Sequence, residues 1–218
     1  MIKISPRLHS LVKYIFKEDR VMDVGCDHAL LDIYLVQNGY ADQIYVCDVN
    51  PNALQNAINN IERYELSANI FPVLGFGIEK IGEFGIDTLV ISGMGAKNII
   101  EILSSPNLER IGKLILQSNN NHCELRKFLT QKGFNIVDEE VIPDGKKTYI
   151  NIIAIRDYAV KTYSVKEYEF GPILSNDKRN LEYFKKLYEN YENILIASKS
   201  DEVREKLKYL DEIIEELK

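Results

Sequence analysis

One pattern, repeated five times, constrains this chain more than any other feature. A short, mainly apolar run ends at a small or polar residue, and a stretch of helical periodicity follows. The runs are Val21–Val24 ending at Gly25, Ile44–Cys47 ending at Asp48, Ile70–Leu74 ending at Gly75-Phe76-Gly77, Thr88–Ile91 ending at Ser92-Gly93-Met94-Gly95, and Lys113–Leu116 ending at Gln117. Runs of four or five such residues without in-out alternation are strands covered on both faces. Apolar residues at 3-4 spacing predict a helix over 6–18 (Leu8, Leu11, Val12, Ile15, Phe16) and others over 29–38, 51–64, 97–103 and 124–132. Pro51 stands at a first-turn position and Gly39 at a C-terminal cap. Segments 134–140 and 148–155, joined at Asp144-Gly145, form a closing hairpin. Strands alternating with helices give a parallel, doubly wound, Rossmann-like α/β sheet with right-handed crossovers. Ligands of such sheets bind outside the carboxyl ends of the strands.

The last quarter of the chain has a different pattern. After Phe170-Gly171-Pro172 it becomes helical and charged. Leu181, Phe184, Tyr188, Tyr191 and Leu195 form one apolar stripe, and Val203, Leu207, Leu210, Ile214 and Leu217 form another. Lys199-Ser200-Asp201 lies between them as a turn with a helix N-cap. The expectation is a core domain over 1–162 and an antiparallel helical hairpin, coiled-coil in pattern, over 163–218. Two helices lying on the α/β core are the alternative.

Charge and cysteine content narrow the function classes. The net charge is −6, and three scattered cysteines support neither a disulfide framework nor a four-ligand zinc site. No apolar run approaches the ~20 residues of a membrane span, and no secretory leader is expected. A cytoplasmic chain needing no membrane or metal follows as an expectation, a monomer or weak homo-oligomer. Residues 1–162 hold 17 basic and 20 acidic side chains and residues 163–218 hold 10 and 13, so the tail is not a basic arm.

The strand ends indicate the ligand. A dinucleotide site wants three glycines at the first strand-to-helix turn. Here Gly25 is present, but Asp27 and Leu30 fill the other two places. A carboxylate at Asp27 repels a pyrophosphate, which disfavours a dehydrogenase. An acidic turn (Asp23, Asp27) suits instead a nucleoside ligand carrying positive charge. Asp48 follows Gly25 by 23 residues, near the usual place of the carboxylate that grips a ribose diol. These features together point to S-adenosyl-L-methionine (SAM). The plainer reading is that Asp23 and Asp27 only cap the turn. Ser92-Gly93-Met94-Gly95 permits close approach of a planar base. Gln117-Ser118-Asn119 supplies amides that match a base edge, although a polar surface loop reads the same way.

Asp23-Val-Gly25-Cys26-Asp27-His28-Ala29-Leu30-Leu31 resembles the Asp-Ile-Gly-Ser/Thr-Asp-His-Ala-Tyr-Leu-Pro signature of bacterial tRNA (adenine-22-N1)-methyltransferases. Ser5-Pro6-Arg7-Leu8, Ile91–Gly95, Leu114–Asn119 with Leu125-Arg126, and Gly145–Tyr149 leading into Phe170-Gly171-Pro172 match in order. The resemblance implies a class I SAM-dependent methyltransferase domain with a coiled-coil tail. It departs at Gly75-Phe76-Gly77, where the family has Gly-Asp-Gly, so Phe76 would stack on adenine rather than accept from its amino group. Cys26 replaces a hydroxyl residue, and Ser118 stands where the family often has Pro.

Under this resemblance SAM is held by Arg7, Asp23, Gly25, Cys26, Asp27, His28, Asp48, Val49, Asn50, Gly75, Phe76, Gly77, Ser92, Gly93 and Met94. Asp27 is the carboxylate beside the developing cation, and Ser92, Met94 and Asn119 shape the base pocket. His28 is either a proton carrier or a structural hydrogen-bonding group. Arg7, Lys13, Lys17, Arg20, Arg126, Lys146 and Lys147 are the expected contacts to tRNA. Two other readings stand at this level: a methyltransferase for a small molecule or protein, and a non-catalytic SAM-binding module that recruits partners through its tail.

Overall fold

A computed structural model describes residues 1–218, which divide into two compact units, Met1–Val160 and Lys161–Lys218. In the first unit the elements are α1 (Pro6–Val12), β1 (Val21–Val24), α2 (Leu30–Gln37), β2 (Ile44–Asp48), α3 (Pro51–Arg63), β3 (Ile70–Leu74), α4 (Ile81–Phe84), β4 (Thr88–Met94), α5 (Ala96–Leu103), β5 (Lys113–Ser118), α6 (His122–Gln131), β6 (Phe134–Asp144) and β7 (Lys147–Arg156). They build one seven-stranded sheet of order β3-β2-β1-β4-β5-β7-β6. All pairs from β3 to β5 are parallel, and the β6–β7 hairpin joins β5 antiparallel. The strand order reverses between β1 and β4, the switch point where doubly wound sheets open a crevice. β1 is buried along its whole length, as are Leu114–Ser118 of β5.

Local chemistry sets the element ends. Ser5 caps α1 ahead of Pro6, and Asn50 caps α3 ahead of Pro51. The first helix stops at Val12 rather than at residue 18, although the apolar spacing runs on to Phe16. Tyr14 N–H and Ile15 N–H turn back to Leu11 O and Val12 O, each at 3.1 Å. Lys113 Nζ then donates to Tyr14 O at 3.1 Å, and Phe16 N–H donates to Asp19 Oδ2 at 2.8 Å. Hydrogen bonds from β5 and from Asp19 thus outweigh helical propensity.

The second unit contains α7 (Val165–Phe170), α8 (Leu181–Ser198) and α9 (Asp201–Leu217). Ser164 and Glu167 form a reciprocal capping box on α7. Helices α8 and α9 pack on each other across the Lys199–Ser200 turn, burying Phe184, Leu207, Leu210, Ile213 and Leu217. No helix is long and apolar enough to cross a membrane.

Candidate active site

The carboxyl ends of the central strands are tied to one another. Gly25 N–H donates to Cys47 O at 2.7 Å, and Gly75 N–H donates to Asp48 O at 3.2 Å. The Cys47 thiol donates to Gly75 O at 3.4 Å, a buried anchor beneath the third-strand turn that sequence reasoning did not assign.

Gly25 has φ +80°, and a Cβ placed there would lie 2.0 Å from Met94 Cε. Met94 therefore sits directly on the first turn. It gets there because β4 carries an irregularity between Ser92 and Met94, centred on Gly93 at φ +79°. Asp27 and Ala29 also adopt positive φ, 46° and 52°. Two non-glycine residues in that region within three positions mark a turn held by its surroundings, a kind of strain that clusters at binding sites.

A cavity of about 250 Å³ opens over this turn, lined by Arg7, Asp23, Gly25, Cys26, Asp27, His28, Ser92, Gly93 and Met94 together with Leu8, Leu30 and Leu31. Nine residues expected at the cofactor thus line one space. Asp23 forms its buried acidic wall at 5 % exposure. Burial pushes the Asp23 carboxyl up to about 7, while Asp32 and Arg7 pull it down. Asp27 and His28 are exposed, with His28 Nε2 3.5 Å from Asp27 Oδ2. Burial raises the Cys26 thiol far above its ordinary range, so it is neutral packing.

The remaining cofactor candidates stand at the ends of β2 and β3. Asp48 is half-buried and accepts from Asn50 N–H at 2.8 Å. Asn50 Oδ1 accepts from Asn52 N–H at 2.9 Å, so that oxygen serves the helix cap. Val49 and Phe76 are 54 % and 69 % exposed, an apolar rim turned to solvent beside an acidic crevice. Gly77, at φ +82°, lies where a Cβ would meet Ile102 at 2.9 Å.

A second cavity of about 490 Å³ adjoins the first through Arg7 and Gly93, with Asn119, Lys147, Thr148 and Tyr149 as its other walls. Arg7 Nη1 donates to Gln117 Oε1 at 3.1 Å. Gln117 Nε2 in turn donates to Arg7 O at 3.2 Å and to Asn151 Oδ1 at 2.6 Å. Asn151 Nδ2 continues to Ser10 Oγ at 2.8 Å. This network fixes the guanidinium of Arg7 over the Tyr149 ring, 5.4 Å from its centroid. Asn119 Nδ2 donates to Gly93 O at 2.8 Å, which leaves Oδ1 as an acceptor. Tyr149 and Thr148 were not among the expected site residues, and Gln117, expected to offer its amide to a base edge, instead spends it on Arg7 and Asn151. Tyr149 carried a signal, an aromatic within a β-strand beside two lysines.

The basic candidates scatter. Lys146 and Lys147 are exposed at the tip of the β6–β7 hairpin, near the second cavity. Lys13 pairs with Glu140 at 2.8 Å. Lys17 and Arg20 line a hollow at the amino ends of the strands, the opposite rim of the sheet, and Lys17 pairs there with Asp42 at 3.2 Å. Arg126 is a correction: it is 1 % exposed, and its Nε donates to the buried Glu139 at 2.7 Å. A guanidinium enclosed in this way holds α6 to β6 and reaches no phosphate. Two larger hollows, each of about 770 Å³, lie away from the carboxyl ends of β1 and β4, one under α1 and Tyr40 and the other at the amino ends.

The residues present fit a cationic nucleoside cofactor: a buried carboxyl, a tight glycine turn without a phosphate cradle, and an apolar rim for a base. Comparison with known proteins agrees. Residues 21–218 match the family TrmK, tRNA (adenine(22)-N(1))-methyltransferase. The Bacillus subtilis tRNA (adenine(22)-N(1))-methyltransferase is 30% identical over 230 residues, covering 100% of this chain and 96% of the relative. The Mycoplasma capricolum TrmK structure, solved with S-adenosyl-homocysteine, matches with TM-score 0.87 and 28% identity over 99% of each chain. Streptococcus pneumoniae Sp1610 in complex with S-adenosyl-L-methionine matches with TM-score 0.87 and 28% identity, over 97% of this chain and 100% of that one. The chain belongs to the TrmK family of tRNA (adenine(22)-N(1))-methyltransferases.

Proposed function

We propose that this chain transfers the methyl group of SAM to N1 of adenine 22 in tRNA, with the cofactor in the first cavity and the target base in the second. One observation carries the reading: the two cavities share Arg7 and Gly93, so a ligand in each meets the other across the end of β4. SAM, when bound, supplies a methyl group on a cationic sulfur. Everything else falls to the chain's own residues. Asp23 takes the cofactor's ammonium, Asp48 its ribose, and Val49 and Phe76 enclose its adenine.

N1 of neutral adenine already carries a lone pair, so no residue has to remove a proton before attack. The chain's task is to align that lone pair with the methyl–sulfur bond. Tyr149 gives the base a face to stack on, and Asn119 Oδ1 accepts from its exocyclic amino group. Met94, seated on Gly25, forms the floor between the two ligands. Methylation leaves adenine cationic, and the Asp27 carboxylate stabilises that charge. N1 lies on the pairing edge, so the base must leave its stack to enter the cavity. Lys146 and Lys147 hold the flanking phosphates. The residues named here all belong to the first unit, Met1–Val160.

The test is incubation of unmodified tRNA transcripts with labelled SAM, followed by mapping of the methylated nucleotide. Label on N1 of adenine 22 is the expected result. Label on N6, or on a cytosine, refutes the assignment.

A further inference from the structure

We propose that Asp32 is a positioning residue for cofactor binding: it stays protonated in the folded protein and donates a hydrogen bond to Asp23, which then meets the cofactor's ammonium as a carboxylate. The inference rests on the placement of the cofactor proposed above.

Asp32 lies in the first turn of α2, fully buried at 0 % exposure. Neither of its oxygens receives a hydrogen bond from another residue's N–H or O–H group. It stands within hydrogen-bonding reach of Asp23. Two buried carboxyls in contact cannot both ionise, so one proton is held between them. Their surroundings decide which one keeps it. Asp23 lines the cavity and faces the Arg7 guanidinium, which favours its anion. Asp32 faces no cation, and burial together with the Asp23 charge drives its carboxyl far above the ordinary range.

The other groups facing the pair do not change this ordering. Asp48 disfavours ionisation of Asp23. The thiols of Cys26 and Cys47, both pushed up by burial, remain neutral. The proton therefore rests on Asp32, and Asp23 accepts from it. This hydrogen bond lowers the Asp23 carboxyl against the burial that raises it. Without the donor, Asp23 would carry a proton at neutral pH and present no charge to an ammonium.

The experiment measures calorimetric affinity for S-adenosylhomocysteine between pH 5.5 and 8 in the full chain, in Asp32→Asn, in Asp32→Leu and in Asp23→Asn. 5′-Methylthioadenosine, which lacks the amino-acid end, serves as the reference ligand. Wild-type affinity should fall by about tenfold per pH unit below the Asp23 midpoint, and affinity for methylthioadenosine should stay flat. Asp32→Asn keeps a neutral donor and should stay within about threefold of wild type, with the same midpoint. Asp32→Leu removes the donor, so its midpoint should move up by about one pH unit and, with the wild-type midpoint at about 7, its affinity at pH 7 should drop about fivefold. Asp23→Asn should be weak at every pH.

A large loss in Asp32→Asn would mean that Asp32 acts as a charge, which overturns the proposal. Wild-type behaviour in Asp32→Leu would reduce Asp32 to core filling and overturn it equally. If Asp23→Asn binds like wild type, the cofactor placement fails and the proposal fails with it. Thermal melts of each variant separate lost binding from lost folding.

Discussion

Gly25→Ala isolates the contact on which the site's geometry depends. The new Cβ would sit 2.0 Å from Met94 Cε, on a backbone at φ +80°. The two effects have different sizes and readouts. Forcing an L-residue into this region costs about 1–2 kcal/mol of stability, to be read as a fall of ~2–8 °C in Tm for a chain of this size. The clash involves the end of a flexible side chain, so Met94 moves rather than the backbone. Met94 lines the cavity of about 250 Å³ together with Leu8, Leu30 and Leu31, and that cavity is the space open to the displaced thioether. A displaced Met94 then competes with the cofactor. Loss of about tenfold in S-adenosylhomocysteine affinity, or ~1.4 kcal/mol, is the expected result. The assay is calorimetric titration together with thermal melts of wild type, Gly25→Ala, Met94→Ala and the double variant. The double variant should regain affinity, because the clash is gone, but not Tm, because the backbone strain remains. Equal affinity in Gly25→Ala and the double variant would refute the packing of Met94 on Gly25.

Three further outcomes follow from the site and its surroundings. Tyr149→Ala should lower kcat/KM for tRNA by roughly 5- to 150-fold, the worth of one stacked base at ~1–3 kcal/mol, while S-adenosylhomocysteine affinity stays unchanged; loss of cofactor affinity instead would remove Tyr149 from the base pocket. Arg126→Ala should destabilise the first unit by about 3–5 kcal/mol by stripping the buried Glu139 of its guanidinium, whereas Lys146→Ala with Lys147→Ala should leave Tm unchanged and flatten the salt dependence of tRNA binding; the reverse pattern contradicts both assignments. Asp32→Asn should stabilise the protein increasingly as pH rises. The raised Asp32 carboxyl binds its proton more tightly folded than unfolded, so the stability it contributes is complete below the ordinary carboxylate range. That stability is lost at about 1.4 kcal/mol per pH unit above that range, while the proton is retained. Melts at pH 5 and pH 8 check this, and a difference that does not change with pH argues against a protonated Asp32.

The central parallel strands β1, β4 and β5 were legible because burial on both faces leaves short continuous apolar runs, whereas the edge strand β3 exposes Pro72 and Leu74; the strand ends were marked by Gly25, Asp48, Gly75 and Ser92. The cofactor crevice followed from those ends, since β1 and β4 are neighbours in the sheet, but the seating of Met94 on Gly25 depends on the irregularity at Gly93. What escaped reading depends on partners distant in sequence. Arg126 reads as a surface cation until β6 sets Glu139 against it. Lys17 and Arg20 read as basic surface, but the strand direction puts them at the opposite rim. Tyr149 becomes part of a site only when Gln117 and Asn151 hold Arg7 above its ring. Two signals were present in the chain and unused. A single acid inside Leu30-Leu31-Asp32-Ile33 marks a buried carboxyl, and Ser164 with Glu167 three residues on spells the cap of α7.

The division of labour between the two adjoining cavities is tested most directly by a crystal structure of the chain with S-adenosylhomocysteine and adenosine monophosphate. The account predicts the cofactor's amino group on Asp23, its adenine between Val49 and Phe76, and the nucleotide base against Tyr149, with N1 turned toward the cofactor's sulfur. Cofactor density in the hollow beneath α1, or a nucleotide base bound away from Tyr149, would contradict it.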